Sequence, residues 1–120
     1  SPGRRSWRPW KKGPKKRSGG TVYYRIGEFH VLPGKGKEFE ELVRQLFKDT
    51  RGLATDRVQV YLIHSTSDPS HYCIAGLWKS AEQWESIGES SLRRAFNEKL
   101  KGVLQRPREG ELFQVMVEEP

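Results

Sequence analysis

The sequence predicts an α+β fold of order β-α-β-β-α-β, the ferredoxin-like arrangement, with a four-stranded antiparallel sheet and both helical regions on one face. Three observations predict it. β-Branched and aromatic residues concentrate in four short runs, two amphipathic stretches at helical spacing alternate with them, and Gly, Pro, Asp and Ser punctuate the junctions. With 120 residues, 34% of them apolar, there is material for one modest domain and not for two.

The first run, VYYRIGEFHV from Val22 to Val31, reads as a strand closed by Leu32, Pro33 and Gly34. In the next stretch Phe39, Leu42, Val43, Leu46 and Phe47 fall at helical spacing, with Glu38, Glu40, Glu41, Arg44 and Lys48 between them, which predicts an amphipathic helix ending near Gly52. Arg57 to Ser65 and His71 to Lys79 are two further strands, expected to pair as a hairpin across the polar turn TSDPS. Ser80 reads as the N-cap of a helix over Ala81 to Ile87. A second helical run follows with Leu92, Ala95, Phe96, Leu100, Val103 and Leu104, and Gly88 marks the break between the two. The last strand is expected in ELFQVMVEE, Glu111 to Glu119, after Pro107 and Gly110.

In such a fold the second face of the sheet has no cover. Strand positions of both parities are apolar, as in Tyr23 with Tyr24, Tyr61 with Leu62, and Val115 with Met116, which is more than one buried face requires. An apolar sheet face left open predicts a homodimer stacked sheet to sheet.

The charge is uneven. Of 22 basic residues, eight (Arg4, Arg5, Arg8, Lys11, Lys12, Lys15, Lys16 and Arg17) fall in the first 20 positions, where there is no acidic residue; the other 14 stand against 15 acidic ones. The body is close to neutral, so residues 1–20 are expected to be a disordered basic tail and residues 21–120 the folded domain. The tail offers an arm to nucleic acid or an anionic surface, with Trp7 and Trp10 to stack on bases or enter a membrane interface, although a run of this kind is more often a solvated accessory segment. It has no apolar core between its charges and so is not a secretory signal. No apolar stretch approaches the roughly 20 residues of a transmembrane segment. With Cys73 the single cysteine, the chain has no internal disulfide, and a soluble, cytoplasmic protein is expected.

FHVLPGKGKEFEELVRQLF, AGLWKSAEQW and SLRRAFNEKL together resemble the antibiotic biosynthesis monooxygenase family of dimeric α+β barrels, over about Tyr24 to Val117. The resemblance rests on Pro33, Gly34 and Lys35 at the turn before the first helix, Trp78 closing the third strand, and Ser91 and Phe96 in the second helical region. It implies a dimeric α+β barrel and a small cofactor-independent oxygenase, acting on a quinol or polycyclic aromatic substrate. Trp78 matches the Trp that some relatives place in the pocket between sheet and helices. Heme-degrading relatives also use an Asn on the first strand and a His on the second helix; the matching positions here are Gly27 and Leu100, so the axial ligand is missing and heme is disfavoured.

Oxygenation without a cofactor requires an electron-rich aromatic, help with its deprotonation, and stabilisation of the resulting anion. Trp78 is the expected catalytic residue, and Phe29, Phe47, Tyr61 and Phe96 the expected substrate-binding wall. Tyr24, His30 and Arg93 are further polar options, and no local signal selects among them. Other chemistries lack their residues: GKGKEF is not a P-loop, no HxxxH or His-carboxylate cluster suggests a metal, and Cys73 in YCIAG has no evident basic neighbour. The alternative reading is a noncatalytic dimeric module that binds a ligand through the body and an anionic partner through the tail.

Overall fold

Strand β1 (Tyr23–His30) lies in the interior of a four-stranded sheet of order β2-β3-β1-β4, between β3 (His71–Trp78) and β4 (Glu109–Gln114), with β2 (Arg57–His64) on the outer side of β3. All three pairings are antiparallel. These elements come from a computed structural model, which describes residues 21–120. The expected disordered tail and its anionic partner lie outside the described residues. Helix α1 (Gly36–Thr50) crosses from β1 to β2, and α2 (Ala81–Gly88) and α3 (Ser91–Leu100) cross from β3 to β4.

The predicted order and the antiparallel four-stranded sheet are therefore observed, with the second helical region divided in two. The division falls one residue beyond Gly88. Ser80 caps α2 by accepting the Gln83 N–H at 3.0 Å, and Ser90 restarts the chain as the cap of α3, accepting the Arg93 N–H at 3.3 Å. At the other crossover, Gly34 takes a positive φ of 79° in the turn after β1, a conformation open to glycine without strain. The α1 helix then buries Phe39, Val43, Leu46 and Thr50, the stripe its spacing predicts.

Alternation assigns each strand residue to a layer. On the helix-covered face, Tyr23, Arg25, Gly27 and Phe29 of β1 stand opposite Trp78, Gly76, Ile74 and Tyr72 of β3. Phe29, Val31, Phe39, Val43, Leu46, Tyr72, Phe96, Leu100 and Val103 form the main core, and Ala54, Trp78 and Ile87 form a smaller second one. The β2 strand joins the sheet with an irregularity at Val58: Arg57 pairs with Trp78 but Gln59 with Leu77, so Val58 is the extra residue of a bulge.

The last strand departs from expectation. The ladder ends at Gln114, opposite Tyr23 at the start of β1, with one further backbone bond donated by the Val115 N–H to the Val22 carbonyl at 2.9 Å. Met116 and Val117, expected inside the strand, are 72% and 88% exposed.

Candidate active site

The five residues singled out in the sequence are not brought together. Trp78 ends β3 buried in the smaller core, with Tyr23 and Trp84 packed against it. Phe29 and Phe96 are buried in the main core, and Phe47 packs against its margin. Arg57 links the two clusters: its guanidinium lies 5.8 Å from the ring centres of both Phe47 and Trp78 and donates to Thr50 Oγ1 at 3.1 Å. Tyr61 is on the opposite face of the sheet, half exposed, its hydroxyl donating to Gln59 Oε1 at 3.0 Å.

Three arginines complete the layer around Trp84. Arg25 points from the middle of β1 into the helix-covered side, where it is 8% exposed. Its guanidinium stacks 5.2 Å from the Trp84 ring centre and donates through Nη1 to the Ile26 carbonyl, while its Nε is buried without a partner. Space for this long side chain comes from Gly110 of β4: a Cβ at that position would overlap the Arg25 guanidinium. Gly110 pairs with Gly27 across β1 and β4, so two facing positions of the covered layer lack side chains. Arg93, in the first turn of α3, has a second buried and unpartnered Nε. Arg108, immediately before β4, places its guanidinium 5.6 Å from the Phe29 ring centre.

Burial and mutual repulsion make these groups reluctant cations. Desolvation lowers Arg25 below the usual arginine range. Desolvation and then the charge of Arg25 lower Arg93 to about 10. Desolvation and the charges of Arg93 and Arg25 lower Arg108 to about 9. Among the described residues the ion pairs are Lys35–Glu38, Arg44–Glu41, Lys101–Glu98 and His71–Glu28, and none involves these arginines. Desolvated guanidiniums beside an aromatic surface can bind and stabilise an oxyanion far better than the same groups in water. Arg93 was one of several options in the sequence. Arg25 and Arg108 went unnoticed, although Arg25 shares its strand parity with Phe29 and therefore had to face the covered side.

The open face carries a different grouping. The pairing of His30 with His71 stacks their rings at 4.7 Å, and His71 Nε2 meets Glu28 Oε1 at 3.0 Å. One ligand atom from each of Glu28, His30 and His71 lies within 4.8 Å of the others. Local spacing shows no such His-carboxylate cluster because its members are joined only by strand pairing. Cys73 also gains a basic neighbour that its sequence context does not show, His71 Nε2 at 3.7 Å from Sγ. Burial and the nearby Glu28 nevertheless push the thiol up, away from the thiolate. An open groove of about 1020 Å³ crosses the end of this face, and Tyr61 lines it with Tyr24, Val58 and Leu77.

The strand order and the helix placement define a small ferredoxin-like α+β domain. The family model for antibiotic biosynthesis monooxygenases matches residues 22–99, and the chain belongs to that family. Solved structures share the fold at low identity. Several carry an antibiotic biosynthesis monooxygenase description, among them the following two. The one from Nitrosomonas europaea has a TM-score of 0.72 at 16% identity, over 79% of this chain and 90% of that one. The one from Caulobacter crescentus has a TM-score of 0.74 at 16% identity, over 80% and 91%. A Mycobacterium tuberculosis protein gives 0.72 at 14% identity, over 82% and 99%. No curated protein matches the chain. Among the described residues no helix is long and apolar enough to cross a membrane.

Proposed function

We propose that this protein is a cofactor-independent monooxygenase that oxidises a quinol or polycyclic aromatic substrate on the helix-covered side of the sheet, and that it works as a homodimer stacked through the open face. The observation that carries the reading is the placement of the buried Arg25 guanidinium against Trp84, beside Trp78. An electron-rich aromatic stacks on the indoles. Its deprotonated form, a phenolate or the carbanion of an anthrone, is the species that reduces oxygen, and a desolvated guanidinium lowers the energy of that anion without reorganising. For an anthrone the balance closes with no outside reductant: one atom of O₂ becomes the new carbonyl oxygen, and the other leaves as water with the two hydrogens of the oxidised methylene.

At the position where the resemblance expects an axial ligand, Leu100 offers no ligand atom and is sealed in the main core at 3% exposure, which supports a reading without heme. The homodimer is supported by Tyr24, Tyr61, Ile63 and Phe113, large side chains that the open face leaves 38–51% exposed.

Oxygen consumption tests the reading. The purified protein, treated with chelator and given a panel of hydroquinones and anthrones, is expected to take up oxygen, and Trp78→Phe to suppress the uptake by about tenfold or more, a loss of roughly 1.4 kcal/mol in the barrier. No uptake across the panel would sink the oxygenase in favour of a binding module.

A further inference from the structure

The cluster of Arg25, Arg93 and Arg108 holds more positive charge than the oxidation needs. A single phenolate neutralises one guanidinium and leaves two. Arg25 is more than nine-tenths buried, and the Nε atoms of Arg25 and Arg93 are buried without partners. No described carboxylate pairs with any of the three, and the first 20 residues contain none to offer. Arg93 and Arg108 are half-buried beside the buried Arg25, and like charges gathered in partly desolvated surroundings without a counter-ion oppose folding, so an arrangement of this kind points to a counter-charge supplied from outside the chain. The sheet is also shaped for it: Gly27 and Gly110 face each other in the covered layer, and any side chain at Gly110 would displace Arg25.

We propose that the three arginines form a binding site for a carboxylate group carried by the aromatic substrate, so that this enzyme acts on aromatic acids rather than on neutral quinols. The proposal rests on the oxygenase reading for the aromatic part of the ligand and on the arginine geometry alone for the acid. Two of the guanidiniums lie over ring faces, Arg25 over Trp84 and Arg108 over Phe29. The rings take up one side of each group, Arg25 Nη1 is already given to the Ile26 carbonyl, and no protein carboxylate among the described residues takes the N–H donors that remain along the edges. A planar carboxylate matches a guanidinium edge with two parallel hydrogen bonds, which is the recognition arginine makes and lysine does not. The half-buried indole of Trp84 beside Arg25 suits a flat ligand whose acid is attached directly to its ring.

A titration with a matched pair of ligands tests the assignment. Under nitrogen, tryptophan fluorescence of the full chain is followed against 1,4-dihydroxy-2-naphthoate and against 1,4-dihydroxynaphthalene, which differ only in the carboxylate. The acid is expected to bind at least about tenfold more tightly, the discrimination of one charge-assisted hydrogen bond. The double variant Arg93→Met, Arg108→Met keeps the apolar stems and is expected to bring the preference below about twofold. The single variant Arg108→Met, checked for native circular dichroism, serves where the double variant does not fold, and is expected to reduce the preference in part. Equal affinity for the two ligands, failure of both to bind, or a preference unchanged in a folded variant would each overturn the carboxylate site. Oxygen uptake is read separately. Tight binding of the naphthoate without turnover removes the oxygenase and keeps the site, whereas turnover of the neutral quinol with no preference for the acid does the reverse.

Discussion

The two faces of the sheet are built from the same strands and break opposite rules. The helix-covered face, where apolar residues belong, contains Arg25 at 8% exposure with Arg93 and Arg108 half-buried beside it. The open face, where polar residues belong, displays Tyr24, Tyr61, Ile63 and Phe113. Each face is thus incomplete in its own way: one lacks negative charge, and the other lacks a cover. Departures from the hydrophobic pattern mark places where a chain can be completed by something else, which in the proposed function and the proposed site is a ligand on one side and a second copy on the other.

The largest expected effect separates the faces by stability. Phe29→Ala removes a fully buried ring from the main core and is expected to cost about 3–5 kcal/mol in urea unfolding, whereas Tyr61→Ala on the open face is expected to stay within about 0.5 kcal/mol when measured on the isolated protomer. Comparable losses at the two positions would erase the distinction. Next in size is the proposed dimer. Ile63→Asp combined with Phe113→Asp is expected to weaken association by about 2 kcal/mol or more, seen by sedimentation as a shift to monomer, with the unfolding of the protomer little changed. A wild-type protein that sediments as a monomer at micromolar concentration would leave the open face unexplained.

A smaller effect of opposite sign is expected in the arginine layer. Arg93→Met removes a buried, unpartnered donor and is expected to stabilise the ligand-free protein by about 1 kcal/mol, raising Tm by roughly 4–8 °C. For Arg108→Met the gain should depend on pH. The folded value of Arg108, about 9, lies below its ordinary value, so above pH 9 the unfolded chain holds a proton that the folded chain has released, and wild-type stability from this group rises with pH. The advantage of Arg108→Met is therefore expected to be greatest below pH 9 and to shrink above it, in melts across pH 7–10.5. The smallest effect concerns Cys73, whose raised thiol should alkylate more slowly than a free cysteine at pH 8. In the Ile63→Asp, Phe113→Asp background, Glu28→Gln is expected to speed that reaction severalfold. No change would remove Glu28 as a cause of the shift.

Much of this architecture was legible from the residues. The helical stripe of Phe39, Val43 and Leu46, the cap at Ser80 and the hairpin of β2 with β3 follow from local patterns, because periodicity and capping act over a few residues. The end of β4 does not. The residues Val115 to Val117 continue the strand-like composition, but among the described residues the pairing with β1 goes no further than the bond from Val115 to Val22, and local composition does not report where a partner strand begins. Arg25 was legible in principle, since alternation from Phe29 directs it inward. The grouping of Arg25 with Arg93 and Arg108 depends on three separate elements meeting, and the contact of Glu28 with His71 spans 43 residues. No local window contains either. The sequence offers Tyr61 as a substrate-binding partner of Trp78, and only the register shows that they stand on opposite faces.

That register shifts at the single extra residue, Val58. Upstream of it Arg57 faces the helices with Trp78, and downstream Gln59, Tyr61 and Ile63 face away with Leu77, Ala75 and Cys73. Val58 therefore works as a phase shift, converting two residues of separation into a change of side. Deleting this one codon would join Arg57 to Gln59 in a regular ladder, with Arg57 still opposite Trp78, Gln59 still opposite Leu77 and every side chain on the face it already holds; what would be lost is the local bend and extra twist at the start of the edge strand. For this family member, the extra residue shapes the edge of the sheet, while the pairing partners carry the choice of face.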